Sequence, residues 1–200
     1  MPKVVDHAER REEILDATRR VILKQGLGGV TMRSIATEVG KSTGHVNHYF
    51  EDKGGLLVAA LESSMKEFNR GLREQSSGKS PGRASVHALL LAALPEDDAQ
   101  RVHWILWFGA GKHVPWGSHG DAVRSIQRAP FEDWHRLIQE NLETAMENGE
   151  FQPKLDARSE VSRMVALVVG LGVESAFLGV TRPRSELTRL IDDQLATLDA

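Results

Sequence analysis

Apolar residues recur at steps of three and four along most of the chain, and nowhere do apolar and polar residues alternate convincingly over the length of a strand. A period near 3.6 can bury one face of a helix, whereas a strand needs a period of two. The sequence therefore predicts an all-α protein. Ile14, Ala17, Thr18, Val21 and Ile22 make the first buried stripe, ended by Gly26, Gly28 and Gly29. Thr31 then offers a capping oxygen to a short helix, Met32 to Val39, expected to bury Ile35, Ala36 and Val39. Gly40 stops that helix, and Ser42 or Thr43 caps the next, which runs to about Phe50.

A long helix from Lys53 to about Gln75 follows, with Leu56, Leu57, Ala60, Leu61, Met65 and Phe68 on one side. Ser76 to Gly82 (SSGKSPG) is plainly loop-like. Further helices are predicted over Arg83–Leu94, Glu96 to about Val114, Asp121–Asn148, Ala157–Leu178 and Ser185–Leu198, separated by proline and glycine. The expected architecture has about nine helices. A three-helix domain occupies residues 1–52, and a helical bundle for ligand binding and dimerisation occupies 53–200.

Bulk properties exclude more than they select. Cysteine is absent, which removes disulfides, thiolate metal sites and cysteine nucleophiles. The N-terminus mixes acids and bases where a secretory signal needs an apolar stretch. The longest strongly apolar run, Met164 to Val173, lies between Arg163 and Glu174 and is too short to span a bilayer. No membrane association and a cytoplasmic location are expected. Charge alone does not point to nucleic acid, since residues 1–53 hold nine Lys/Arg against eight Asp/Glu.

The placement of particular residues does point there. A helix-turn-helix needs a small residue where its helices meet, a residue tolerant of positive φ in the turn, and a branched apolar anchor on the second helix. Ala36, Gly40 and Val46 meet these needs at the fifth, ninth and fifteenth positions counted from Met32. The segment continues as His48-Tyr49-Phe50-Glu51-Asp52-Lys53 and then Leu56-Leu57. From about Arg10 to Leu61 the chain resembles the DNA-binding region of the TetR/AcrR family of bacterial repressors. That resemblance implies a dimer on palindromic operator DNA, released by a small-molecule effector. Lys41 stands where the family has a small apolar residue, and Gly54-Gly55 replaces its usual helix formers.

In such a motif the N-terminal half of the second helix meets base edges in the major groove. Thr43, Gly44, His45, Asn47 and His48 are the candidate base readers. Asn47 suits a bidentate pair with adenine, and Gly44 lets the backbone come close. By the resemblance, Thr31, Arg33, Lys41, Ser42, Tyr49 and Lys53 hold phosphates.

Two features mark the C-terminal part. Val161 to Gly179 is apolar nearly all round, so one face is expected on its own bundle and another on a second copy, with Gly170 and Gly172 allowing close approach. Val161, Val165, Val168, Leu171, Leu187, Ile191 and Leu195 are the expected interface residues. Aromatic residues gather in HWILWFGAGKHVPW, His103 to Trp116. Trp104, Trp107, Phe108, Trp134 and Phe177 are candidate pocket residues for an effector of unknown identity, or simply core. This helix, with the STG and HYF elements, is similar to the branch of the family that controls the choline-to-betaine pathway, where a tryptophan cage suits a quaternary ammonium. Glu174 could balance a ligand cation or pair with an arginine.

No cofactor or metal is expected. His103, His113, His119 and His135 with Asp121, Glu132 and Asp133 form no recognisable catalytic spacing, and HExxH and phosphate-binding glycine loops are missing, so an enzyme is not expected. An activator or an architectural DNA-binding protein of the same fold stays open as the alternative.

Overall fold

A computed structural model describes residues 7–77, 79–113 and 120–200. Among them lie nine α-helices: α1 His7–Gln25, α2 Met32–Val39, α3 Thr43–Tyr49, α4 Lys53–Ser76, α5 Arg83–Ala93, α6 Asp98–His113, α7 Gly120–Glu147, α8 Ala157–Leu178 and α9 Arg184–Ala196. The only strand-like pairing in the described residues is one antiparallel bridge between Phe151 and Asp199. The all-α expectation holds. Trp116 and His119 lie outside the described residues.

The described residues group into two compact units that do not follow chain order. The first takes those up to Met65 and those between Val102 and Ile126; the second takes Lys66–Arg101 and Gln127–Ala200. In the first, α1 packs on α2 and α2 on α3. Its core is built from Ile14, Leu15, Ala17, Val21 and Ile22 of α1, Ile35 and Ala36 of α2, Val46 of α3 and Phe50. Val39, expected inside, is only half-buried. It sits in the last turn of a two-turn helix, beyond the reach of α1's stripe.

In the second unit α5 packs on α8 and α9. Val86, Leu89 and Leu90 of α5 share that core with Met164 and Val168 of α8 and Ile191 and Leu195 of α9, all buried. The Arg83 guanidinium meets Asp199 at 3.0 Å, holding the start of α5 to the C-terminus. By composition α8 is apolar enough to cross a membrane, but its buried stripe is part of this core.

Candidate nucleic-acid interface

The turn between α2 and α3 is fixed by capping at both ends. Thr31 caps α2: its Oγ1 accepts from the Ser34 amide at 2.9 Å, while Ser34 Oγ accepts from the Thr31 amide at 2.9 Å. Ser34 Oγ also donates to the Gly29 carbonyl at 2.9 Å, tying the helix start to the preceding single 3-10 turn, Leu27–Gly29. Such reciprocal caps satisfy amides that a helix start otherwise leaves unpaired. The sequence reading found Thr31 but missed Ser34, because glutamate or glutamine is the usual signal at that position.

Gly40 ends α2 at φ 70°, in the left-handed region that glycine enters at little cost. The Lys41 amide then donates to the Ala36 carbonyl at 2.9 Å, so the family's apolar residue at this position is not needed to close the turn. Ser42 caps α3, its Oγ accepting from the His45 amide at 3.2 Å. Only Val46 of α3 is buried. A Cβ placed on Gly44 would meet nothing nearer than Ser42 Oγ at 3.8 Å, so the protein's own packing does not require glycine there.

The outward surface follows from this anchoring. Thr43, Gly44, Asn47 and His48 are exposed and His45 is half-buried. Thr31, Arg33, Lys41 and Ser42 are exposed around them, with Tyr49 and Lys53 half-buried. All eleven belong to the first unit. Lys53 also has a structural role, its Nζ donating to the Leu27 carbonyl at 3.4 Å. Phe50 is core, and the Arg11 guanidinium sits 4.4 Å from its ring centroid while reaching the Tyr49 carbonyl at 3.4 Å.

At Gly54-Gly55, Asp52 Oδ1 accepts from the Gly55 amide at 2.7 Å and pins the first turn of α4. On the far side of α2, Glu38 meets Arg20 at 2.8 Å and Lys24 at 2.9 Å, clamping α2 to α1. Hydrogen bonds from Lys24 and then Arg20 hold the Glu38 carboxyl below the usual carboxylate range.

The candidate pocket residues belong to both units. Trp104, Trp107 and Phe108 of α6 pack together, Trp104 and Phe108 nearly parallel with centroids 5.6 Å apart. Trp104 and Trp107 are buried and Phe108 is 41% exposed. Trp134 belongs to the other unit as a core residue: it is fully buried, its Nε1 donates to the Leu89 carbonyl at 3.2 Å, and its ring meets Phe68 edge-on. Phe177 lies at the exposed end of α8, 47% open beside Leu178. Glu174 pairs with Arg182 at 2.6 Å, the second of its two expected roles.

The expected interface residues also need correction. Val161, Val165, Val168, Leu171, Leu187, Ile191 and Leu195 are all packed within one protomer, none more than 7% exposed. A helix apolar on every side cannot announce which stripe its own core will take. The stripe its own core covers least has Ala166, Gly170 and Phe177 exposed and Val169 and Val173 half-buried between them, and a Cβ on Gly170 would meet nothing within 4 Å. No group of three His, Asp or Glu among the described residues is placed to hold a metal ion.

A short capped helix, a glycine turn and a second helix held by a single apolar residue, with polar groups turned outward, define a helix-turn-helix DNA-binding protein. Comparison with known proteins gives its kin. Residues 14–60 match the model of the bacterial regulatory proteins of the TetR family, and residues 82–200 match the C-terminal part of BetI-type transcriptional repressors. The chain belongs to the TetR family of transcriptional regulators, and its C-terminal part is of the BetI type.

Among curated relatives, the HTH-type transcriptional regulator BetI of Burkholderia mallei is 29% identical over 204 residues, spanning 99% of this chain and 97% of the relative. BetI of Paraburkholderia phymatum is 29% identical over 205 residues, with the same coverage. Among solved structures, a regulator from Saccharomonospora viridis in complex with choline superposes with a TM-score of 0.82 at 22% identity, covering 95% of this chain and 97% of that one. A TetR regulator from Haloarcula marismortui gives 0.79 at 20% identity, covering 96% of this chain and 100% of that one. These two likenesses concern the fold. The family's members regulate transcription and are not enzymes.

Proposed function

We propose that this chain is a transcriptional repressor that binds a palindromic operator as a homodimer and leaves it when a small organic cation binds. The outward polar set on α2 and α3 carries the reading. Residues 1–52 serve as the DNA-binding part and 53–200 as the effector and dimer part. Thr43, Gly44 and Asn47 read bases, with His45 and His48 beside them on the same helix, while Thr31, Arg33, Lys41, Ser42, Tyr49 and Lys53 hold the backbone. The work is done in the cytoplasm, where the operator is.

A second copy covers the partly exposed α8 stripe of Ala166, Val169, Gly170, Val173 and Phe177. Two copies are needed because the two half-sites of an operator lie about one helical turn, or a multiple of it, apart. The effector site is built around Trp104, Trp107 and Phe108, whose ring faces attract a quaternary ammonium. The choline held by the Saccharomonospora viridis protein supports that class of ligand. Effector binding favours a conformer in which α4 has moved, and operator affinity falls as that population grows.

The test is a mobility shift and footprint on DNA flanking the protein's own gene. A palindromic footprint is expected, with affinity falling steeply as salt rises. Asn47→Ala should relax specificity by about 1–3 kcal/mol at one base pair, whereas Arg33→Ala should weaken binding to every sequence and flatten the salt slope. Binding indifferent to salt and to both changes would overturn the reading. Choline should raise Tm and release DNA, and its neutral isostere 3,3-dimethylbutanol should do neither.

A further inference from the structure

Three histidines gather on one tyrosine at the edge of the outward polar face. The ring of His7, at the start of α1, lies 4.6 Å from that of Tyr49, His48 lies 5.1 Å away and His45 5.4 Å. His7 and His48 are themselves 6.1 Å apart. His7 and His48 are exposed, and the buried Nε2 of His45 has no hydrogen-bond partner. Among the described residues, charged groups of α1 and of the turn before α3 face this cluster. From α1 come Glu9, Arg10, Arg11 and Glu13, with Glu13 taken up by Arg10 at 2.6 Å; from the turn before α3 comes Lys41.

No ion pair in the described residues uses any of the three imidazoles, yet they stand beside Tyr49, Lys41 and Ser42, which the reading above places on DNA phosphates. We propose that His7, His45 and His48, gathered round Tyr49, form a phosphate site that loads with protons as DNA binds. This rests on the DNA-binding reading and extends the contact surface from the helix-turn-helix to the start of α1.

The physical argument has two parts. An isolated imidazole changes charge near neutrality, and an adjacent anion favours its charged form. Duplex DNA brings a phosphate charge about every 1.7 Å along its axis. In the free protein, positive charge on His7 and on His48, whose rings lie 6.1 Å apart, is mutually opposed, and Arg10, Arg11 and Lys41 add to that opposition. Glu9 and Glu13 relieve it only in part, since Glu13 is engaged by Arg10. Bound phosphates remove the opposition, so the complex holds more protons than its separated parts. By linkage, affinity is greatest at low pH and is lost as pH rises through the range in which the bound imidazoles release their protons.

The experiment is fluorescence anisotropy with the full-length protein at constant ionic strength between pH 6 and 8. It uses operator DNA and an unrelated duplex of equal length, and calorimetry in buffers of different ionisation enthalpy counts the protons. Affinity for both duplexes should rise as pH falls, approaching about tenfold per proton per pH unit in the steep region, with at least one proton taken up. The triple change His7→Gln, His45→Gln, His48→Gln should flatten the slope, and the exposed single change His7→Gln should lower the proton count by up to one. His87→Gln on α5 should leave the slope as it is.

A slope that survives the triple change, or a wild-type affinity indifferent to pH, would overturn the proposal alone. A slope seen on operator but not on the unrelated duplex would assign the histidines to bases and overturn their phosphate role. Failure to bind either duplex at any pH would overturn the DNA-binding reading and this proposal together.

Discussion

The α2–α3 region and α8 are finished in opposite ways. The first closes its apolar core within the protomer and turns outward hydroxyls, amides and cations, so its remaining surface suits a hydrated, charged partner. The second fills one stripe with core and leaves Ala166, Gly170 and Phe177 exposed with Val169 and Val173 half-covered, which suits another apolar surface. One chain thus carries two unfinished faces with different solvents in mind. A large exposed apolar patch on a soluble protein marks an interaction site, and an array of outward polar groups on a rigid turn marks recognition of a polar polymer.

The sharpest way to break this contrast is to put a charge on the apolar face. Val173→Asp should leave an unpaired carboxylate facing the partner, a cost of about 3–5 kcal/mol. Dimerisation should then weaken by on the order of a hundredfold or more by sedimentation equilibrium, and operator binding should fail while helix content by circular dichroism stays. If the variant remains a dimer, this stripe is not the interface.

A smaller effect separates two glycines of the DNA face. Gly40→Ala forces an alanine into the left-handed region at φ 70°, costing about 1–2 kcal/mol of stability and several degrees of Tm. Gly44→Ala makes only an ordinary contact, 3.8 Å from Ser42 Oγ, and adds helix propensity, so Tm should hold or rise while operator affinity falls. Equal losses of stability in the two variants would contradict the assignment of one glycine to the fold and the other to DNA.

Next come the caps. Thr31→Ala or Asp52→Ala should each cost about 1 kcal/mol, read as a lower urea midpoint. The smallest effect belongs to the exposed Glu38 clamp. Because Lys24 and Arg20 hold its carboxyl below the ordinary range, its contribution is present above that range and is lost as pH falls through the lowered value. Glu38→Gln should therefore reduce the acid dependence of the urea midpoint slightly and leave stability near pH 7 almost unchanged, as solvent screening requires.

How much could be read in advance follows the same division. The bounds of α2 and α8, Met32–Val39 and Ala157–Leu178, were legible because cap, glycine and periodicity agree locally. The HTH positions were legible because one turn geometry dictates their spacing. The stripe of α8 that meets its own core was not, since every side of that helix is apolar and only α5 and α9 decide the matter. Nor was the place of His7, because its contact with Tyr49 depends on the angle at which α1 crosses α3. Trp134 reads in sequence like Trp104, and both are buried; that they serve the cores of different units, with the Trp134 N–H given to the Leu89 carbonyl, is decided by the fold alone.

The single buried anchor of α3, Val46, has a consequence for descent. Thr43, Gly44, Asn47 and His48 are exposed and contribute almost nothing to the interior, so their codons can drift without unfolding the protein. A duplicated gene could acquire a new operator by changing a few outward positions while keeping its caps, its turn and its partner-binding face. Loss of one regulatory target and gain of another would then be separated by few mutations, none of which has to pass through a misfolded intermediate.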